Sequence, residues 1–114
     1  MIISQAISGF LTPYDSETIV VAGVAIGLTA DKYNVPAPGA TGHDLGHARL
    51  VVITIETADV RYSVVDGTLP VVGGPGHLAD NGSSLTFANF QAMKNFRVIR
   101  ETGVSAKIQV TYYR

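Results

Sequence analysis

The stretch ARLVVITIETADVRYSVVDG, from Ala48 to Gly67, reads as two consecutive β-strands. Its first part, residues 50–55, is apolar and β-branched, which is typical of a strand with both faces buried in a sandwich core. Further along, apolar and polar side chains alternate with a period of two: Val60, Tyr62 and Val64 against Asp59, Arg61 and Ser63. Residues 57–59 are too few for a crossover helix, and Asp66-Gly67 predicts a tight turn. We therefore expect the hydrophobic core to be formed by β-strands and not by helices.

The rest of the chain continues this pattern of strands and turns. Residues 17–29 predict two short strands, or one long strand bent near Gly23. Residues 88–94 have room for one helical turn, and Ser105 to Tyr113 alternate as a half-buried strand. We predict an all-β fold, an antiparallel β-sandwich (Ig-like or jelly-roll-like) of about seven strands with at most one short helical turn.

The length of the chain, 114 residues, predicts one domain with a core of its own. We assign residues 17–114 to a single β-sandwich domain. Residues 1–16 are assigned to an N-terminal arm or an edge strand that ends in a turn at PYDS, residues 13–16.

Composition limits the classes of partner. The chain is 46% hydrophobic and only 15% charged, which indicates that another chain covers part of its surface. A formal net charge of −1 without a basic block argues against binding to nucleic acid or to an anionic membrane. No apolar run approaches the roughly 20 residues of a membrane span, and the first residues lack the features of a signal peptide. We expect synthesis in a cytosol.

The most suggestive chemical motif is His43-Asp44-Leu45-Gly46-His47, which has the spacing of the two zinc-binding histidines of metalloproteases. That chemistry needs both imidazoles on one face of a stable helix. Because Gly42 and Gly46 interrupt the segment and a strand follows directly, we predict a polar loop. Whether the histidine pair binds a metal stays open.

Other motifs favour structure over catalysis. The chain has no cysteine, and residues 73–76, GGPG, lack the lysine and the helix of a phosphate-binding loop. Most of the aromatic residues considered as a binding platform occupy strand positions that favour core packing: Tyr62, Phe87, Phe90, Phe96, Tyr112 and Tyr113. We predict that the protein is not an enzyme and that it uses no cofactor.

One pattern of residues is similar to a known group of proteins. Residues 58–70, ADVRYSVVDGTLP, are followed by Gly-His-Leu at 76–78, FRVIR at 96–100 and VTYY at 110–113. This order resembles small virion structural proteins of tailed bacteriophages and prophages, over roughly residues 24–113. The chain departs from the usual V-R-Y-x-x-D-G-T-x-P form by one extra valine at 64–65 and by Leu69. The same motif also resembles Ig-like accessory domains of chitin- and hexosamine-degrading enzymes.

The phage resemblance implies a virion component assembled in the cytoplasm of a host bacterium. Within that group, size and composition suit a capsid decoration (cement) protein, which binds the major capsid protein or other virion proteins and is commonly a trimer or a dimer. The candidate contact residues are Ile3, Phe10, Leu11 and Tyr14 in the arm, and Tyr33, Pro36, Pro38, His43 and His47 in or beside the long loop. Two alternatives stay open: a head–tail connector or tail component, and a carbohydrate-binding module on a host-recognition structure.

Overall fold

The computed structural model describes residues 11–34 and 47–114. In these ranges the chain forms seven β-strands and two short helices. In chain order they are β1 (Pro13–Val21), α1 (Ala30–Tyr33), β2 (Leu50–Glu56), β3 (Val60–Ser63), β4 (His77–Ala79), β5 (Ser84–Phe87), α2 (Phe90–Asn95), β6 (Arg97–Arg100) and β7 (Ala106–Tyr113). The predicted all-β sandwich is confirmed. Helix α2 is the helical turn expected at residues 88–94, and α1 adds a second one.

The strands form two antiparallel sheets. The four-stranded sheet has the order β1-β7-β2-β5, and the three-stranded sheet has the order β4-β3-β6. Strand β7 pairs with β1 on one side and with β2 on the other, so the last strand of the chain lies at the centre of the larger sheet. Buried side chains from both sheets form one hydrophobic core between them.

Side-chain alternation decides which residues enter this core. Strand β7 alternates as predicted, with Ala106, Ile108, Val110 and Tyr112 buried. In β2 the expectation of two buried faces holds in part, because Val51, Ile53 and Ile55 are fully buried on one face, whereas on the other Leu50 is fully buried and Val52 and Thr54 are half-buried. Val52 and Thr54 lie on the outer face of the sheet, as is common where an antiparallel sheet packs through one face.

Strand β1 starts earlier than the sequence predicts. The turn expected over residues 13–16 is wrong, because these residues open the strand and pair with the end of β7. The register shifts between Pro13 and Asp15, which marks a β-bulge or irregularity. A proline at the first position of an edge strand is tolerated because the missing N–H need not serve the ladder.

The segment after β1 crosses from the larger sheet to the smaller one. Neither alternative for residues 17–29 is correct in full, since the strand ends at Val21 and Ile26 then makes an isolated bridge to Val98 of β6. The chain returns to β1 at Thr29, whose amide and hydroxyl donate hydrogen bonds to the Glu17 carboxylate. The crossover therefore joins the two sheets on the side of β1 and β6.

Candidate protein-binding surface

The loop between β3 and β4 begins with the turn that the sequence predicts. The Thr68 N–H donates to the Val65 carbonyl at 3.1 Å, and Gly67 has a φ of +77°. Glycine takes this left-handed conformation without steric cost, so the Asp66-Gly67 turn is confirmed. We call residues 64–76 the valine loop.

A second turn closes the far end of the valine loop. The Gly74 N–H donates to the Val71 carbonyl at 2.7 Å, and the Val71 N–H donates to the Pro75 carbonyl at 3.0 Å. Pro70, just before this turn, is buried. The backbone of residues 71–75 is thus held by its own hydrogen bonds, and Pro70 anchors one end.

An ion pair fastens this turn to the three-stranded sheet. The Arg61 guanidinium donates two hydrogen bonds to the Glu101 carboxylate, at 2.6 and 3.1 Å, and a third to the Gly76 carbonyl at 3.0 Å. Glu101 also accepts from the Gly73 N–H at 3.1 Å. The hydrogen bonds from Arg61, and then that from Gly73, lower the pKa of Glu101 to about 2. The pair is therefore ionised at neutral pH and ties two backbone points of the loop.

Close packing at Gly76 supports the same attachment. A Cβ at this position would lie 2.9 Å from the Tyr62 carbonyl oxygen, 3.0 Å from the Arg61 Cγ and 3.1 Å from the Pro70 Cβ. With a φ of +114°, Gly76 also has a backbone conformation that other residues rarely adopt. The loop therefore rests directly on the aliphatic stem of Arg61.

Large apolar side chains project from this fixed loop and from the adjoining strand. Val71, Val72 and Leu78 are 50%, 54% and 51% exposed. Leu78 lies opposite Arg61 in the ladder between β3 and β4, and Val72 precedes the glycine bonded to Glu101. We call these three residues the valine surface. Two further exposed apolar residues, Val65 and Leu69, belong to the same loop.

A shallow depression of about 350 Å³ lies at the first half of the valine loop. Its lining comprises Val65, Asp66, Gly67, Thr68, Leu69, Asn95 and Arg97. The Arg97 guanidinium donates to the carbonyls of Phe96 and Lys94, at 2.7 and 3.1 Å. Both of these bonds are donated by the Nη1 atom of Arg97. The lining of the depression is mixed, with Asp66, Thr68 and Asn95 beside Val65 and Leu69.

Two predicted contact residues of the N-terminal region fall within the described part of the chain. Leu11 and Tyr14 are both half-buried. The Tyr14 hydroxyl donates to the Lys32 carbonyl, and the Arg114 guanidinium lies 4.2 Å from the centre of the Tyr14 ring. Burial raises the pKa of Tyr14 to about 12. Tyr14 thus joins β1 to α1.

Tyr33 and His47 come together on one aromatic ring. The centre of the Phe90 ring lies 5.9 Å from that of Tyr33 and 4.5 Å from that of His47. Tyr33 is only 9% exposed and belongs to the core, whereas His47 is exposed, with its Nδ1 2.9 Å from the Ala48 carbonyl oxygen. Of the two, His47 is the side chain that a partner can reach in this conformation.

The remaining predicted contact residues, Ile3, Phe10, Pro36, Pro38 and His43, lie outside the described residues. Within residues 11–34 and 47–114, no three histidine, aspartate or glutamate side chains are grouped so that they could hold a metal ion. Neither helix of these ranges is long and apolar enough to span a membrane.

The valine surface could not be predicted from composition alone, because residues 68–84 are rich in glycine and proline and so indicate only a connection between strands. A signal was present in TLPVV, residues 68–72, where three apolar side chains and a proline occur inside a loop. Apolar residues in a connection are expected to be covered, so an uncovered group of them is a candidate interaction site. The ion pair had no local signal, since Arg61 and Glu101 are far apart in the chain.

Comparisons of the chain with family models, with curated proteins and with solved structures found no match.

Proposed function

We propose that the chain is a bacteriophage virion structural protein that decorates the capsid and stabilises its lattice. The observation that carries the proposal is the valine surface: three half-exposed aliphatic side chains on and beside a loop that an ion pair holds in place. The order of motifs at residues 58–70, 76–78, 96–100 and 110–113 supports a virion component.

Exposed apolar area on the valine surface can supply binding free energy. Covering such side chains contributes about 25 cal/mol for each Å² removed from water. A loop that is already fixed loses little conformational entropy when a partner binds, so more of this gain remains as affinity. The Arg61–Glu101 ion pair supplies this preorganisation, because Arg61 donates to the Gly76 carbonyl and Glu101 accepts from the Gly73 N–H.

A capsid suits a small surface of this kind. Each copy contributes a modest apolar contact, and a lattice repeats the complementary site many times. If several copies of the chain are joined in an oligomer, binding of the first copy to the capsid raises the effective concentration of the others at neighbouring sites. The oligomer then binds the capsid more tightly than a single copy does. The proposed partner is the major capsid protein, and the proposed role involves no catalysis.

The test is binding of the purified chain to expanded capsids, measured by co-sedimentation and by electron microscopy of the particles. We expect saturable binding that Val71→Asp together with Val72→Asp reduces at least tenfold. A matched control is Val24→Asp, since Val24 is 81% exposed and lies in the crossover that pairs with β6, at the opposite edge of the three-stranded sheet from Leu78.

The other outcomes separate the alternatives. Failure to bind capsids, combined with binding to isolated tails or connectors as a ring of about six copies, would replace decoration by a head–tail role. Saturable binding to glycans that the double valine variant leaves unchanged would favour a carbohydrate-binding module. Absence of the protein from purified virions would overturn the virion assignment itself.

A further inference from the structure

Strand β1 is an edge strand among the described residues. Within residues 11–34 and 47–114, β1 pairs with β7 alone and lies at the end of the four-stranded sheet. In an antiparallel strand, alternate residues turn their N–H and C=O groups away from the neighbour already paired. A nine-residue strand such as β1 therefore offers several backbone groups to a further strand.

The side chains beside this edge are small and uncharged. Ser16, Thr18 and Val20 share the outer face of the sheet and are all exposed, Val20 to 60%. Natural edge strands are commonly protected by charged residues that repel a second strand. On β1 the two acidic residues point to the other face and are engaged there: Asp15 with Lys32 at 3.1 Å, and Glu17 with the Tyr112 hydroxyl and with Thr29.

We propose that β1 is a self-association edge, through which two copies of the chain pair their β1 strands antiparallel about Thr18 and join their sheets into one of eight strands. Extended backbone is the chemistry that this edge recognises. A second copy of β1 supplies it in a complementary pattern.

Charge and alternation select the register. Pairing centred on Ser16 would place Glu17 opposite Asp15, and pairing centred on Glu17 would place two glutamates opposite each other. Like charges directly opposite across a strand pair are destabilising. Pairing centred on Thr18 opposes Thr18 to itself, Ser16 to Val20 and Glu17 to Ile19, and it keeps the outer faces of both sheets on the same side. Among the registers that do not place two carboxylates opposite each other, this one also pairs the most residues. Moving the centre of pairing towards Val21 leaves fewer residues of each strand paired.

The inference is independent of capsid binding. The valine surface lies on and beside the three-stranded sheet, whereas β1 belongs to the four-stranded sheet. A variant that separates the copies therefore leaves the valine surface intact in each one, and the two proposals fail separately.

Sedimentation equilibrium of the full chain over a range of concentrations tests the dimer. We expect Thr18→Lys to weaken association at least tenfold, because two ammonium groups then meet at the two-fold axis. An equimolar mixture of Thr18→Lys and Thr18→Glu should restore dimers at the wild-type affinity or better. Ser84→Lys is the matched control, since Ser84 is exposed on β5 at the opposite edge of the same sheet.

Cross-linking tests the register. Because the chain has no cysteine, Thr18→Cys introduces a single thiol. Directly opposed residues of paired strands lie close enough for a disulfide, so mild oxidation should link Thr18→Cys into dimers and leave Ser84→Cys monomeric. A monomer at all concentrations, a dimer unaffected by Thr18→Lys, or a dimer lost in the Val71→Asp and Val72→Asp variant would overturn the proposal.

Discussion

The Arg61 guanidinium and the Glu101 carboxylate meet through two hydrogen bonds, of 2.6 and 3.1 Å, although 40 residues separate them in the chain. Both side chains are largely covered, with exposed fractions of 15% and 18%. The pair joins β3 to the end of β6 and holds the valine loop at Gly73 and Gly76. Its ionisation therefore controls how firmly the candidate binding surface is presented.

Acid should weaken the attachment of the valine loop. Arg61 and the Gly73 N–H lower the pKa of Glu101 from 4.5 to about 2. A carboxyl whose pKa is lower in the folded state stabilises the fold fully above its unfolded pKa, and that contribution is lost as the pH falls through the folded value. We therefore expect the melting temperature of the wild type to decrease as the pH is lowered from about 4.5 to about 2.

The Glu101→Gln variant should have a lower midpoint at neutral pH and a shallower fall in acid, as measured by circular dichroism. Asp15→Asn is the comparison. The pKa of Asp15 is also lowered, chiefly by the hydrogen bond from Lys32, but this pair lies away from the valine loop. Hydrogen exchange at the Gly73 amide should accelerate in Glu101→Gln and not in Asp15→Asn. Equal exchange in both variants would contradict the role given to Glu101.

A methyl group at Gly76 should dislodge the valine loop. Gly76→Ala brings a Cβ within 2.9 Å of the Tyr62 carbonyl oxygen, at a φ of +114°. Backbone strain of this kind costs about 1–3 kcal/mol of the free energy of unfolding. Gly103→Ala is the matched control, because a Cβ there meets nothing within 4 Å, and such a change is neutral or stabilising by about 0.4–1 kcal/mol. Urea titration of both variants would show the difference, and equal stabilities would refute the tight packing at Gly76.

The central strands could be predicted because their patterns are local. Strand β7 alternates over its full length, and its buried residues are those with apolar side chains at every second position. The start of β1 could not be predicted in this way, since Pro13 and Asp15 are common turn residues. Pairing with the end of β7 overrides that preference, and the register of the pairing shifts between Pro13 and Asp15.

The valine surface and the open β1 edge depend on contacts between distant parts of the chain. Nothing near Arg61 in the sequence indicates that Glu101 will reach it, or that both will bind the loop backbone. The position of β1 at the edge of the sheet decides whether a partner can reach Ser16, Thr18 and Val20. The periodicity of apolar residues does not predict the order of strands in a sheet. Both surfaces therefore required the structure.

The aromatic centre of the core should be the most sensitive to truncation. Phe96 is fully buried, with its ring centre 6.0 Å from that of Tyr62 and 5.7 Å from that of Phe87. Phe96→Ala removes a large buried side chain and leaves a cavity, which typically costs about 3–5 kcal/mol. Val104→Ala, at an exposed position, should change the free energy of unfolding by less than about 0.5 kcal/mol. Guanidinium titrations measure both, and a loss below about 1 kcal/mol in Phe96→Ala would contradict the packing described.

The hydrogen bond between Tyr112 and Glu17 links β7 to β1, and we expect it to contribute to the free energy of unfolding. Tyr112 is fully buried, and its hydroxyl donates to the carboxylate that also accepts from Thr29. Burial, and then the bond to Glu17, raise the pKa of Tyr112 above its usual value. Tyr112→Phe keeps the ring but removes one donor from a charged acceptor, so we expect a loss of about 1.5–3 kcal/mol.

Tyr113→Phe is the matched control for this hydroxyl, because Tyr113 is the next residue, half-buried on the opposite face of the same strand. It should change stability by less than about 0.5 kcal/mol. In a double-mutant cycle, Tyr112→Phe should cost less in a Glu17→Gln background, since the acceptor is then uncharged. A cost that is the same in both backgrounds would mean that the contribution of the Tyr112 hydroxyl does not depend on the charge of Glu17.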